Sequence, residues 1–485
     1  MRALALPLFL LALGTALPAL GADIWVISAA KIYPAPNVEP IEDGVVVVRD
    51  GRITYAGKRD SAKIPKSAKT SSCSGGVLMA GFQNSHVHFI EPRWEDAAHQ
   101  PAADLEQSFQ EMLTRYGFTT VFDTTSDQAN TVALRTRVEK GEIRGPRIFT
   151  VGLGLFPPDG IPSYISDLPP RMLARLHQPR TAEEARAAVR ANIANGADGT
   201  KLFLHTSPRQ GVMRRMSADV ARAAVEETHA HGKLVMAHPT TLEAIRLALD
   251  VGVDVLVHTT LGEESPWDAA TLARMKSAHQ SVIPTFKLWI YELKKEDVPP
   301  PVVDTLVDAT LRELDSFIAV QGQVLFGTDV GYMHDYDPTD EYVLMAKAGM
   351  SQAQILESLT TAPAARWKAA RGKEKKLHGR IAKGFAADLT MLAADPSDDV
   401  RNFANVKCVL REGTPIYSRP ISSGAGPSAC GARLAGKSWL PRRQRIPRAH
   451  TRLPSPTSPG AISPPPTCGA SSRIGALLKA PSSRS

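Results

Sequence analysis

The chain has 485 residues, too many for a minimal domain but enough for one large α/β barrel with additions, or for two to three ordinary domains. Hydrophobic residues at 43% and charged residues at 22% give the balance of a soluble globular protein and exclude a disordered or membrane-embedded chain. The formal charge of +8 is unevenly placed: from Gly413 to Ser485 there are eleven Lys and Arg and no acid, which leaves −3 on the rest. A body of that sign gives no reason to expect a nucleic-acid partner.

The first residues, "MRALALPLFLLALGTALPALGAD", combine a positive Arg2, an apolar run from Ala3 to Leu13 that is short for a membrane span, and small residues after it. They read as a signal peptide over residues 1–22, cut after Gly21 or Ala22, with a retained membrane anchor as the alternative. With no Cys nearby, a lipid anchor is not expected, and the mature chain is expected in the periplasm or secreted, without stable membrane insertion.

The segments "DIWVISAAKIYP" and "GVVVVRDGRITYAG" then read as strands, with Asp50-Gly51 as a two-residue hairpin turn. Strand character returns late, in "GRIAKGFAADLTMLAADP" and "VKCVLREGTPIYS". We therefore expect one small β-sandwich domain built from both ends, residues 23–75 and 378–418, around an insert at 76–377. The remainder, 419–485, is a basic tail rich in Pro, Ser and Arg that cannot bury enough apolar surface to fold. It is either a basic arm for anionic surfaces or a segment read in an unintended frame; the abrupt end of hydrophobic patterning after Tyr417 favours the second.

The insert alternates strands with helices. Strand runs fall at Gly76–Asn84, Phe118–Thr125, Pro146–Gly152, Gly199–Leu204, Lys233–His238, Val253–His258, Ser281–Phe286 and Gln323–Asp329. Between them, Thr181-x-x-Glu184, Thr240-x-x-Glu243 and Ser351-x-x-Gln354 have capping-box form, and Gly196, Gly232 and Gly252 stand where helices end. Eight such β/α units predict an α/β fold, a (β/α)8 TIM-like barrel.

Chemistry in such a barrel sits at the C-terminal strand ends. Those ends carry His86 and His88 in "GFQNSHVHF", then His238, His258 and Asp329, while the fourth strand carries Lys201 in "DGTKLFL". Two imidazoles at i and i+2 of an extended segment point to one side, though the pair alone is as consistent with a strand end as with a site. Imidazoles and a carboxylate converging on one mouth suit Zn²⁺ or a similar divalent ion. A lysine ammonium among such ions would be repelled, so Lys201 is expected neutral there, and a neutral amine can add CO₂ to become a bridging carbamate; a phosphate-binding or Schiff-base lysine is the alternative. His205 follows Lys201 and is placed to line the mouth, whereas His229 and His231 fall at a helix end on the far face. His99, His177, His279 and His334 carry no spacing argument, although His334 follows Asp329 in an expected active-site loop.

The cysteines Cys73, Cys408, Cys430 and Cys468 match no zinc framework; export would permit a Cys73–Cys408 disulfide, and two unpaired thiols are the alternative.

With "GFQNSHVHF", "DGTKLFL", "VMAHPTT", "VLVHTT", "LFGTDVG", "LTTAPAARW" and "GRIAKGFAADLTMLAADP" together, the chain over about residues 24–418 resembles the amidohydrolase superfamily, in its imidazolonepropionase-like and prolyl-dipeptidase-like branch. The resemblance implies two divalent ions, Zn by expectation: His86, His88 and Asp329 on one, His238 and His258 on the other, carboxylated Lys201 between them. Lys201 argues against the single-metal imidazolonepropionase pattern. The implied chemistry is attack by a metal-bridging hydroxide on an amide carbonyl, with Asp329 as base and then acid. Phe156 and Tyr164 in the loop Gly152–Ile165, with Tyr332 and Trp289, suggest a partly apolar substrate; His205, Tyr332 and Phe156 are the expected substrate contacts. Arg209, Arg214 and Arg215 are either a carboxylate clamp or a solvated charge run. The expected activity is hydrolysis of a C–N amide bond in a small molecule, a dipeptide or N-acyl amino acid. Lactone or phosphotriester hydrolysis at the same centre, and a non-catalytic binding barrel, are the other readings, and a homo-oligomer stays open.

Overall fold

The computed structural model describes residues 24–72, 76–166, 168, 170–209, 211–239, 241–261, 267–368 and 377–420. The expected signal peptide, all but two residues of the expected tail, and Cys73, Cys430 and Cys468 lie outside them.

The chain opens with β1 (Ile24–Ile32), β2 (Ile41–Arg49), β3 (Arg52–Lys58), β4 (Lys69–Ser72) and β5 (Val77–Ala80). Eight parallel strands follow in the insert: β6 (Phe82–Val87), β7 (Phe118–Asp123), β8 (Arg147–Thr150), β9 (Gly199–Phe203), and, after the small hairpin β10 (His205–Arg209) and β11 (Val212–Arg215), β12 (Leu234–His238), β13 (Val255–Val257), β14 (Ser281–Ile283) and β15 (Gln323–Val324). The chain then returns as β16 (Leu389–Leu392), β17 (Val406–Arg411) and β18 (Thr414–Ser418).

The first and the last described strands join one eight-stranded sheet in the order β18-β17-β16-β5-β1-β2-β3, with β4 beside β1 off this path. Where two facing sheets were expected, there is a single sheet that forks: β1 pairs with β4 through Trp25–Ser28 and with β5 through Lys31 and Ile32. The uninterrupted "VVVV" of β2 is explained by burial on both faces, since Val45 and Val47 pack with Ile24 and Val26, and Val46 and Val48 with Ile27 and Ile53. The single strand expected over Gly76–Asn84 is two, β5 in this sheet and β6 in the parallel set; between them Gly81 donates its N–H to Asp388 O at 2.8 Å.

The parallel strands form sheets of three (β6-β7-β8) and five (β9-β12-β13-β14-β15). Backbone hydrogen bonds also run between the two sheets, from Leu155 N, beyond β8, to Lys201 O on β9 (2.9 Å), from Ser85 N on β6 to Phe326 O, beyond β15 (2.7 Å), and from His88 N, just past β6, to Val330 O (2.8 Å). Residues of one parity, Phe122, Phe149, Val151, Met236, Val255, Val257, Ile283 and Leu325, share one buried cluster with Trp367, which ends the helix Thr361–Arg366. Residues of the other parity, such as Val121, Ile148, Leu202, Val235 and Leu256, pack in the main core with buried helix side chains such as Leu134, Val189 and Ile245.

Thr181 and Ser351 make the expected capping boxes, but the helix Leu242–Val251 is capped by Thr241, one residue past the expected Thr240, which lies outside the described residues. Gly196, Gly232 and Gly252 all have positive φ (98°, 67° and 86°), as helix-ending glycines do. Cys408 is disulfide-bonded; the other three cysteines lie outside the described residues. Among the described residues no helix is long and apolar enough to cross a membrane.

Candidate metal centre and substrate cavity

The inward parity that fills the barrel with apolar side chains continues upward into polar ones. Lys201 shares its side of β9 with Phe203, His238 follows Leu234 and Met236 on β12, and Asp329 follows Leu325 and Gly327. Alternation alone would turn His258 away from the interior, because Val255 and Val257 already point in. A left-handed backbone at His258 (φ 78°) breaks the alternation, and its ring lies 4.9 Å from that of His86 and 4.7 Å from that of His238. Asp329 is also left-handed (φ 61°), a conformation rare outside glycine that structures hold where geometry matters.

Two glycines let the first and last strands close on each other here. A Cβ at Gly327 would stand 2.9 Å from the His86 Cβ, and one at Gly331 (φ 95°) would run into the His88 carbonyl oxygen.

His86 Nε2 and His88 Nε2 are 3.1 Å apart, and Asp329 Oδ1 is 3.3 Å from the first and 3.0 Å from the second. His88 Nδ1 is 2.7 Å from the carbonyl oxygen of Thr125, which only accepts, so the ring proton belongs on Nδ1 and Nε2 faces inward as a lone pair. Acceptors this close repel unless a cation stands among them. Among the described residues, His86, His88 and Asp329 bring three ligand atoms close enough together to hold one ion.

Electrostatics agree. Burial drives His86 and His238 down to about 3 and His258 well below its ordinary value, so all three are neutral imidazoles. Burial works against the charged form of His88 too, but the Asp329 carboxylate outweighs it and raises the ring. Burial also opposes ionisation of Asp329, yet His86 and His88 hold it well below the usual carboxylate range. Lys201, 1% exposed, is lowered by burial to about 7, and among the described residues its Nζ has no hydrogen-bond or ion-pair partner; it stands 5.3 Å from the centroid of the Phe203 ring. A buried primary amine without a partner is costly. It fits a lysine whose amine carries a further group or meets an ion.

The six residues of the expected metal centre all line one cavity of about 770 Å³. Its walls are mostly apolar, among them Leu153, Phe203, Leu288, Trp289, Leu293 and Val298. His205, Tyr332 and Phe156 line it as well, each in its own way. His205 is buried and 3.0 Å from Thr241 Oγ1; Tyr332 donates to Glu292; Phe156 is fully buried and stacks on Phe203 at 4.1 Å. Tyr164 bridges to the centre, its ring 6.3 Å from that of His238 and 5.7 Å from that of Tyr332. Arg209 is on the wall, whereas Arg215 pairs with Glu243 at 3.3 Å and neither it nor Arg214 lines the cavity.

His334 is not brought to the cavity; it binds Glu91 at 2.8 Å with its side chain 73% exposed. His229 pairs with Asp254 at 2.8 Å, away from the centre, as its helix-end position predicts. Sequence reading missed Thr125, Thr285, Glu292 and Glu341, which orient or line the site; none carries a local signal, because each acts on a partner far along the chain.

With this geometry, comparison with known proteins gives the class. The amidohydrolase family matches residues 77–416, and the chain belongs to that family. It is 26% identical to the ochratoxinase of Aspergillus niger over 451 residues, covering 84% of this chain and 88% of that one. Among solved structures it is similar to a Xaa-Pro dipeptidase with bound methionine (TM-score 0.68, 20% identity, 82% of this chain and 100% of that one). It is also similar to a prolidase complexed with N-methylphosphonate-L-proline (TM-score 0.66, 26% identity, again 82% and 100%). The fold is thus an α/β TIM-like barrel with an added sheet domain, and the protein is a hydrolase acting on amide C–N bonds.

Proposed function

We propose that this protein hydrolyses an N-acylated amino acid, dipeptides included, at a binuclear centre on a closed eight-stranded barrel. The reading rests on one observation above the rest: the Lys201 amine, without a hydrogen-bond or ion-pair partner among the described residues, buried in a cavity wall shared with the imidazoles of His86, His88, His238 and His258 and with Asp329. His86, His88 and Asp329 would hold one ion, His238 and His258 a second, and Lys201, as a carbamate, would reach both. An amine lowered to about 7 is unprotonated often enough at neutral pH to add CO₂. Zinc suits this nitrogen-rich donor set.

Bound ions of this kind supply an acidified water and polarise a carbonyl. The chain's own part is proton traffic and placement. Asp329, ionised at neutral pH, is the base that takes the proton of the attacking water and returns it to the leaving amine. The apolar wall receives the substrate's apolar side chain, and Arg209 is the cation available to a terminal carboxylate. The relatives' names point the same way, to a prolidase, a Xaa-Pro dipeptidase and an ochratoxinase. A disulfide at Cys408 supports the reading of the N-terminus as an export signal and a periplasmic or secreted location.

The test is metal content of protein purified without added metal, beside Lys201→Ala, followed by a screen of dipeptides and N-acyl amino acids. Near two ions per chain, falling sharply in the variant, with metal-dependent cleavage of at least one amide, is the expected result. Zero or one ion in both proteins removes Lys201 from the centre and ends the binuclear reading.

A further inference from the structure

We infer that Glu341 is a positioning residue for His258, acting through Thr285; the inference rests on the metal-centre reading above.

The helix Phe286–Lys295 follows β14 and begins at Thr285. A threonine at that position ordinarily turns its hydroxyl onto the first free N–H groups of its helix. Thr285 makes no such bond. Its backbone is left-handed (φ 49°, ψ 48°), its hydroxyl donates to Pro284 O at 2.8 Å, and its oxygen stands 2.5 Å from His258 Nδ1. With the hydroxyl proton committed to a carbonyl, Oγ1 acts as acceptor. The His258 ring proton is therefore on Nδ1, and Nε2, 3.9 Å from Asp329 Oδ2, presents its lone pair to the centre.

The capping that Thr285 gives up is performed from elsewhere in the chain. Glu341, wholly buried in the helix Thr339–Lys347, accepts the N–H of Phe286 on Oε1 at 3.0 Å and that of Lys287 on Oε2 at 2.9 Å. A carboxylate at a helix N-terminus is well placed both for hydrogen bonding and for the helix dipole. The Lys287 ammonium does not compete for Glu341: it pairs with Asp335 at 2.8 Å and donates to Asp337 O at 2.6 Å. Without Glu341 the N–H groups of Phe286 and Lys287 lose their acceptor, and the Thr285 hydroxyl stands at the helix start where a threonine ordinarily supplies one. Rotating it back onto the helix would release His258 Nδ1 and leave the tautomer unfixed.

The experiment uses the full chain stripped of metal. Histidine ¹⁵N NMR of the metal-free protein reads which ring nitrogen of His258 carries the proton, and titration with Co²⁺, followed by visible absorption, reads affinity and ligand geometry. In the wild type His258 is expected as the Nδ1–H tautomer. Thr285→Val and Glu341→Gln are each expected to lose that single tautomer, to weaken Co²⁺ binding by about 10-fold or more, and to change the spectrum, while Thr285→Ser keeps all three. Should Glu341→Gln lose its near-ultraviolet dichroism, Glu341→Asp, with a shorter reach, is read the same way. Unchanged tautomer and affinity in the Glu341 variant, whatever Thr285→Val does, would overturn the inference. A wild type that takes up no Co²⁺ overturns the metal-centre reading instead, because the tautomer is measured without metal.

Discussion

Tyr332 donates its hydroxyl to Glu292 at 2.7 Å, and both side chains stand on the wall of the cavity that holds the imidazoles. Glu292 lies in the last turn of its helix, where the dipole disfavours an anion, and burial raises its pKa while the Tyr332 hydrogen bond counters that. Tyr332→Phe keeps the ring against Tyr164 and removes only the hydroxyl. We expect KM to rise about 5-fold with kcat retained, the size of one lost hydrogen bond of ~1 kcal/mol. Steady-state kinetics on any cleaved amide decides; an equal fall in kcat would move Tyr332 into the chemical step.

Metal removal should be visible in stability. His86 Nε2, His88 Nε2 and Asp329 Oδ1 converge within 3.3 Å, and without a cation their lone pairs oppose one another. Saturating Zn²⁺ at 100 times its dissociation constant should stabilise the fold by about 2.7 kcal/mol. Differential scanning calorimetry with and without a chelator should show the shift in wild type and none in His86→Ala. Equal shifts in both would place the ion elsewhere.

Asp388 sets an acid limit on the fold. Buried, it meets His378 Nδ1 at 2.9 Å and Arg147 Nη1 at 3.1 Å, and accepts Glu412 N–H at 2.8 Å, tying the sheet to the start of β8. Burial alone would raise its pKa, but Arg147 and His378 hold it well below the usual carboxylate range. A depressed carboxylate contributes stability that is complete above its unfolded pKa of about 3.9 and is lost as pH falls towards the folded value. Asp388→Asn should therefore be less stable by on the order of 2 kcal/mol at neutral pH, with the gap narrowing below about pH 4. Urea melts across that range check this; a gap that stays constant with pH would refute it.

Trp367 closes the interior of the parallel strands from one end. It is 2% exposed, its ring is 4.5 Å from that of Phe122, and its indole N–H donates to Ser85 Oγ at 3.1 Å. Trp367→Ala should cost roughly 3–5 kcal/mol in denaturant unfolding. A cost below ~1 kcal/mol would mean that the cavity collapses or fills with water.

That six polar residues line one cavity was legible because most of them follow an apolar run where a strand stops. Lys201 stood out as a charge inside such a run. The forked sheet was not legible, since a continuous apolar stretch through Gly81 gives no sign that hydrogen-bonding partners change there. His258 was found by its place at a strand end, although its turn into the site depends on a left-handed backbone that sequence does not mark. Glu341 was out of reach for a different reason: an acid in a helix reads as surface charge until the fold brings the N-terminus of another helix against it. Tyr332 and His205 were placed on the cavity by proximity to ligands, but the partners that orient them, Glu292 and Thr241, belong to other elements.

The sheet has a consequence for how the molecule is made. β16 pairs Leu389 with Ala80 and Met391 with Leu78, so a strand synthesised near the end inserts beside one made near the beginning. β5 leads directly into β6, which carries His86, and Asp388, just before β16, accepts the N–H of Gly81 at that junction. The nascent chain can pair β1 with β2, β2 with β3 and β1 with β5 early, but must keep one edge of β5 unmatched until β16 has emerged. Contacts so distant along the chain make for slow folding. A polypeptide missing only its last strands would expose the edge of β5.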